Sequence, residues 1–183
     1  MTTVYVNLIK GVVYTDSRKT STQSYDFTLF GFKFVKSEEK ILGFSLSRKV
    51  YPIHNCAVVT VGDVEVSEHL KSLFLEGFNP ANHVVPETLK GLIGKILIVR
   101  PGYTISITIK NGVIERKTFI SDNLTTGSGS EVGFLSSAQG YLWTLTKEQV
   151  IKVLRLNSLF DTYSDDNIVC VSPEDYRGNN VDL

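Results

Sequence analysis

The run KILIVRPGYTISITIKNGVIERKTFI, residues 95–120, constrains the chain more than any other stretch. Three short strand-like runs are separated by Pro101-Gly102 and Asn111-Gly112. Asn-Gly between alternating runs is the strongest short hairpin signal, because such a turn needs positive φ at both central residues. The segment therefore reads as an antiparallel meander. Two further hairpins precede it: TTVYVN and GVVYT around Leu8-Ile9-Lys10-Gly11, and RKVYPI and CAVVTVG around His54-Asn55, with Ala57 to Val61 as a buried central strand.

Helical signals fall between and after the strands. In VEVSEHLKSLFLEGF the apolar residues at 66, 70, 73, 74 and 78 share a helical spacing. PETLKGLIGKILIV opens on Pro86, suited to a helix start, and ends as a strand. TTGSGS opens into EVGFLSSAQGYLW, a small-residue helix, and Thr146 starts the capping-box pattern TKEQ of a last helix that turns Val150, Val153, Leu154 and Leu159 inward. NIVCVS returns as a strand, while SYDFTLFGFKFVKSEEKILGFSLS is either a loop or an extra strand pair. The order of strands, two helices, strands, two helices and a final strand predicts an α+β fold, a four-layer α-β-β-α sandwich of two antiparallel sheets.

At 183 residues the chain suits a single domain, residues 1–183. Its 19 basic and 19 acidic residues give no basic excess for nucleic acid or an anionic membrane surface. No apolar run reaches the length of about 18 residues needed for a membrane span. Without a signal-peptide pattern either, the expectation is a cytoplasmic protein. Cys56 and Cys170 lie in apolar runs without CxxC spacing and read as reduced core residues. His54, His69 and His83 are too scattered for a metal site, the Gly-Ser loop lacks the lysine of a phosphate loop, and Asp165-Asp166-Asn167 lacks the remaining spacing of a calcium loop, so neither metal nor cofactor is expected.

Chemistry enters at the first hairpin. A turn centred near Ile9-Lys10 sets Thr2 and Thr3 opposite roughly Thr15 to Ser17, which brings the start of the chain beside Asp16. Methionine is normally trimmed before a residue as small as Thr, leaving Thr2 with a free α-amino group beside its own hydroxyl. A threonine hydroxyl is a poor nucleophile without a base. An α-amine, with a reference pKa of about 7.7–8.0, is partly neutral near pH 7 and can be that base.

Taken in order, TTVYVN…GVVYTDSRKTS, KVYPIHNCAVVTVGD, the hairpin around KNG, TTGSGSEVGFLSSA and FDTYSDDNIVCVS resemble the segments of the N-terminal-nucleophile hydrolases of the proteasome β-subunit and HslV-type peptidase group. The likeness covers most of the chain and is weakest across 79–95 and across 21–47, an atypical insertion. It implies Thr2 as catalytic threonine, Asp16 as the acidic residue that orients the site, and Lys49 as the cation that lowers the effective pKa of the nucleophile and its amine. It implies Ser128, within Gly127-Ser128-Gly129, as the serine near the terminal amine, with Ser130 as the alternative by a two-residue shift. Val61-Gly62-Asp63 falls at the strand-to-helix turn whose backbone N–H forms an oxyanion hole in the family, although the family's glycine often sits earlier, where this chain has Val59 or Thr60.

Taken singly, Asp16 reads as a solvated strand end, Lys49 as a surface residue and Ser128 as turn chemistry or a helix N-cap. The resemblance implies a threonine-type peptidase acting on peptide or protein substrates, assembled as a homo-oligomeric ring, with an unfoldase ATPase serving bacterial members. The leading alternative is the same fold kept as a catalytically inactive assembly or binding protein; a small-molecule amidase is a third reading.

Overall fold

The computed structural model describes residues 3–29, 32–53, 55–77, 79, 83–120, 123–127, 135, 141–161 and 164–177, with the backbone alone for 19–46. Strand β1 (Thr3–Asn7) folds back through Leu8–Gly11 onto β2 (Val12–Asp16), pairing Val4 with Thr15 and Asn7 with Val12. Two late segments complete this sheet. Strand β10 (Asn123–Gly127) lies against β1 and β11 (Ile168–Val171) against β2, giving the order β10-β1-β2-β11, all antiparallel.

The second sheet joins the hairpin around residues 54–55 to the three-stranded meander. Strands β5 (Val50–Ile53), β6 (Cys56–Gly62), β7 (Ile93–Arg100), β8 (Tyr103–Lys110) and β9 (Val113–Phe119) stand in sequence order. Asn111 and Gly112 adopt φ of 52° and 73°, the pair of positive values that the Asn-Gly signal calls for. Of the two readings of the stretch before β5, the extra strand pair is the one found: β3 (Arg18–Leu29) and β4 (Phe32–Leu46) pair with each other as a long ribbon.

Alternation along the strands assigns the layers. Val4 and Val6 face Ala57, Val59, Val61, Leu97 and Val99 between the sheets. On the opposite face of β6 and β7, Val58, Ile96 and Ile98 pack with Val66 and Leu70 of helix α1 (Val64–Leu75). Tyr5 and Tyr14, on the outer face of the first sheet, pack with Val150 and Leu154 of helix α2 (Lys147–Ser158). The result is the α-β-β-α order, in which each fully buried aliphatic side chain contributes about 1.5–3 kcal/mol. Thr146 caps α2 as its sequence pattern requires, accepting from the Gln149 N–H while Gln149 accepts from the Thr146 N–H.

Four local expectations are corrected. After Pro86 the chain makes only a single 3-10 turn, Glu87–Leu89, because Gly91 swings to φ 94° and the backbone then extends into β7. Leu159 is 74% exposed rather than inward. It lies nine residues beyond the buried Val150, which at 100° per residue is about half a turn around the helix. Cys170 is partly exposed at the sheet edge, whereas Cys56 is fully buried as expected. The histidines are not all dispersed, since the Nε2 atoms of His69 and His83 stand 3.1 Å apart.

The step from β6 to α1 depends on two facing glycines. Gly62 pairs with Gly94, has φ 90°, and would place a Cβ 2.6 Å from the Ile93 carbonyl oxygen. At Gly94 a Cβ would meet that of Val66 at 2.8 Å, so the absence of side chains here lets α1 lie directly on the sheet. Gly62→Ala and Gly94→Ala are each expected to lower stability by about 2–3 kcal/mol in urea denaturation, through strain and overpacking. Gly77→Ala, with positive φ but open space, is expected to cost about 1 kcal/mol.

Candidate active site

The site is built where β1 begins and β2 ends. Hairpin register sets Thr3 beside Asp16, the last residue of β2 and 1% exposed. The Asp16 carboxylate accepts from the Thr3 N–H at 2.8 Å on Oδ1, and from the Arg18 N–H at 3.1 Å and Lys49 Nζ at 2.9 Å on Oδ2. Lys49 reaches it from the connection between β4 and β5 and is itself 8% exposed. The Lys49 carbonyl accepts from the Thr60 N–H at 2.9 Å, which ties the same residue to β6 of the second sheet. One buried ion pair thus joins the two sheets.

A second set of polar groups comes from the segment after α2. The Thr3 hydroxyl lies 2.5 Å from Ser164 Oγ and 3.4 Å from Asp161 Oδ2, and Ser164 also donates to Asp161. Asp165 accepts from the Ser17 N–H at 3.1 Å and the Ser17 hydroxyl at 3.0 Å, while Asn167 donates to Ser17 Oγ at 2.9 Å. Thr3, Asp161, Ser164 and Asp165 are all buried. Hairpin register had set Thr3 beside Asp16, but sequence reasoning gave the other three no part: Asp161 and Ser164 lay within FDTYSDDN without a role, and Asp165 was weighed only as part of an incomplete calcium loop.

Asp16 and Lys49, both expected at the site, are therefore brought into contact. Gly127 ends β10 directly opposite Thr3, with φ 97°. Thr2, Ser128 and Gly129 lie outside the described residues. Gly62 ends β6, where its conformation has the packing cause given above; in the same stretch the N–H of Asp63 is taken by the Ile93 carbonyl and that of Thr60 by Lys49. A further cation, Lys95, stands at the same end of β7 and donates to Thr126, the residue before Gly127. Among the described residues no group of three or more His, Cys, Asp or Glu side chains is arranged to hold a metal.

Burial pushes the Lys49 ammonium below the ordinary lysine value, opposed first by the attraction of Asp16 and then by Asp165 and Asp161. Lys95 is also lowered, by burial and then by Lys117. For Lys49 the consequence has a definite sign. As pH rises the folded chain releases this proton before the unfolded chain does, so the group's contribution to stability rises with pH between the folded value and the unfolded one of about 10.4.

No family model and no curated protein matches the chain. Solved structures do. Eukaryotic HslV from Trypanosoma brucei superposes with a TM-score of 0.55 over 92% of this chain and 97% of its own, at 15% sequence identity. The fold is that of HslV. The BPH protein of Thiobacillus denitrificans, solved in complex with epoxomicin, is also matched, with a TM-score of 0.49 and 12% identity over 92% of this chain and 96% of its own.

Removing either partner of this pair should differ in cost. Asp16→Ala takes the carboxylate away from a buried ammonium and two backbone N–H groups, and is expected to destabilise by about 3–5 kcal/mol in chemical denaturation. Lys49→Met keeps both backbone donors on the carboxylate and is expected to cost less.

Proposed function

We propose that the chain is a threonine-type peptidase of the proteasome and HslV kind, with Thr2 as its N-terminal nucleophile once methionine is removed. The observation that carries this reading is the anchoring of Thr3, the residue next to Thr2, on the Asp16 carboxylate that also holds Lys49. A nucleophile at position 2 would leave the chain from this anchored point, one residue from the carboxylate that holds the Lys49 ammonium.

In the proposed reaction Thr2 Oγ attacks the substrate carbonyl carbon while its proton passes to the Thr2 amine. Collapse of the tetrahedral adduct breaks the C–N bond, and the amine returns the proton to the leaving nitrogen. Water then cleaves the acyl ester, releasing the acid and restoring the hydroxyl. Lys49, held by Asp16, stabilises the negative charge that develops on the attacking oxygen. Ser128 stands as the serine near the amine, since β10 delivers the chain to Gly127 opposite Thr3. Gly127, Gly129 and Gly62 remain the candidates for the backbone turn at the oxyanion. A homo-oligomeric ring enclosing the sites, served by an unfoldase ATPase, completes the proposal.

A second reading is favoured by one observation. The Thr60 and Asp63 N–H groups are both engaged in backbone hydrogen bonds, which removes two donors from the stretch expected to form the oxyanion hole. That suits an inactive assembly or binding protein on the same fold.

Intact-mass analysis separates the two readings. The peptidase should lack methionine and gain one covalent adduct from a peptide vinyl sulfone, with no adduct in Thr2→Ala. A retained methionine with no adduct would sink the peptidase reading and leave the binding protein. Lys49→Met is expected to lower kcat by about 100–1,000-fold, the scale of losing a preorganised electrostatic partner. In the wild type the alkaline limb of the rate profile should fall at a pH below the ordinary lysine value, following the lowered Lys49 ammonium; a limb that persists unshifted in Lys49→Met would assign it to another group.

A further inference from the structure

On the outer face of the second sheet, far along the chain from the residues of the acidic cluster, two imidazoles converge. His69 belongs to α1 and His83 to the segment leading to the 3-10 turn Glu87–Leu89. Their Nε2 atoms are 3.1 Å apart, their ring centroids 5.2 Å apart and their planes inclined at 44°. Both side chains are half-buried. Two ring nitrogens this close are either donor and acceptor of one neutral hydrogen bond or two lone pairs directed at a shared cation.

The separation matches a chelate. Two nitrogens at about 2.0–2.1 Å from one ion are about 2.9 Å apart at a right angle and about 3.3 Å apart at the tetrahedral angle. The observed spacing falls between. The Glu76 carboxylate, close enough to act on the His69 ring, is an attraction for any cation placed here. The nearby ammonium of Lys71 is engaged elsewhere, paired with Glu68 and seated 4.0 Å above the Tyr51 ring.

We propose that His69 and His83 form a two-imidazole site for a divalent transition ion of the zinc, nickel or copper class, which fastens the segment entering β7 to helix α1. Imidazole ligands select such ions over magnesium and calcium, which prefer oxygen. Water fills the remaining coordination positions. The proposal is independent of the peptidase reading.

The test is calorimetric titration of the full chain with zinc chloride, with magnesium chloride as comparison, for the wild type, His69→Gln, His83→Gln and His54→Gln. The expected result is zinc binding that weakens about 100-fold in each of His69→Gln and His83→Gln, the scale on which the second arm of a two-point attachment contributes. His54→Gln should bind as the wild type, and magnesium should give no binding at this site. Unchanged zinc affinity in His69→Gln and His83→Gln would overturn the proposal, as would the absence of zinc binding in the wild type. Proton NMR of the folded wild type gives a readout that needs no variant: zinc should shift the ring resonances of two histidines together, and a spectrum in which no pair responds would overturn the proposal as well.

Discussion

Everything at the open end of the first sheet depends on the Asp16 carboxylate. It gathers the start of β1, the exit of β2 and the approach to β5 around one buried group, and through Lys49 it reaches the second sheet. A carboxylate in so dry a place is tolerable only because each of its oxygens has a donor. The polar groups of this region are consequently arranged as a network, in which Ser17, Asp165 and Asn167 hold the end of β2 from the other side.

The apolar layers give this network its rigidity. Small and β-branched residues, with Val4, Val6, Val59, Val61 and Val99 prominent, fill the space between the sheets, while the larger tyrosines of β1 and β2 face the helical layer. A one-residue slip of β1 would exchange Val4 and Val6 for Tyr5 in the central layer and would carry Thr3 away from Asp16. The positioning of the site and the packing of the core are therefore set by one register.

Much of the fold was legible because its determinants are local. Asn111-Gly112, the alternation in β1 and β2 and the Thr146 capping box each act within a few residues, and each appears where the sequence places it. The centre of the first turn was enough to bring Asp16 beside Thr3. The reading failed where tertiary geometry decides: the Pro86 signal lost to Gly91, and Leu159 lost its place inside to helical phase. At the site, resemblance and hairpin register located Asp16 and Lys49, but Asp161, Ser164 and Asp165 are ordinary loop residues until the chain returns to β2. Their roles are carried by contacts across the whole chain, and no local pattern encodes those. The pairing of His69 with His83 was hidden for a similar reason, since a spacing of 14 residues matches no ligand motif and is set by how the chain returns over α1.

The strand order also sets a schedule for the polypeptide as it is made. The meander and the β3-β4 ribbon join neighbours in sequence, so they can form as soon as they emerge. The first sheet cannot, because β1 waits for β10 and β2 waits for β11. The Thr3 hydroxyl meets Ser164 only across a separation of 161 residues. A nascent chain thus carries Thr3 and Ser17 without their late partners through most of its synthesis, and the return of the chain into β11 brings Ser164 and Asp165 to them.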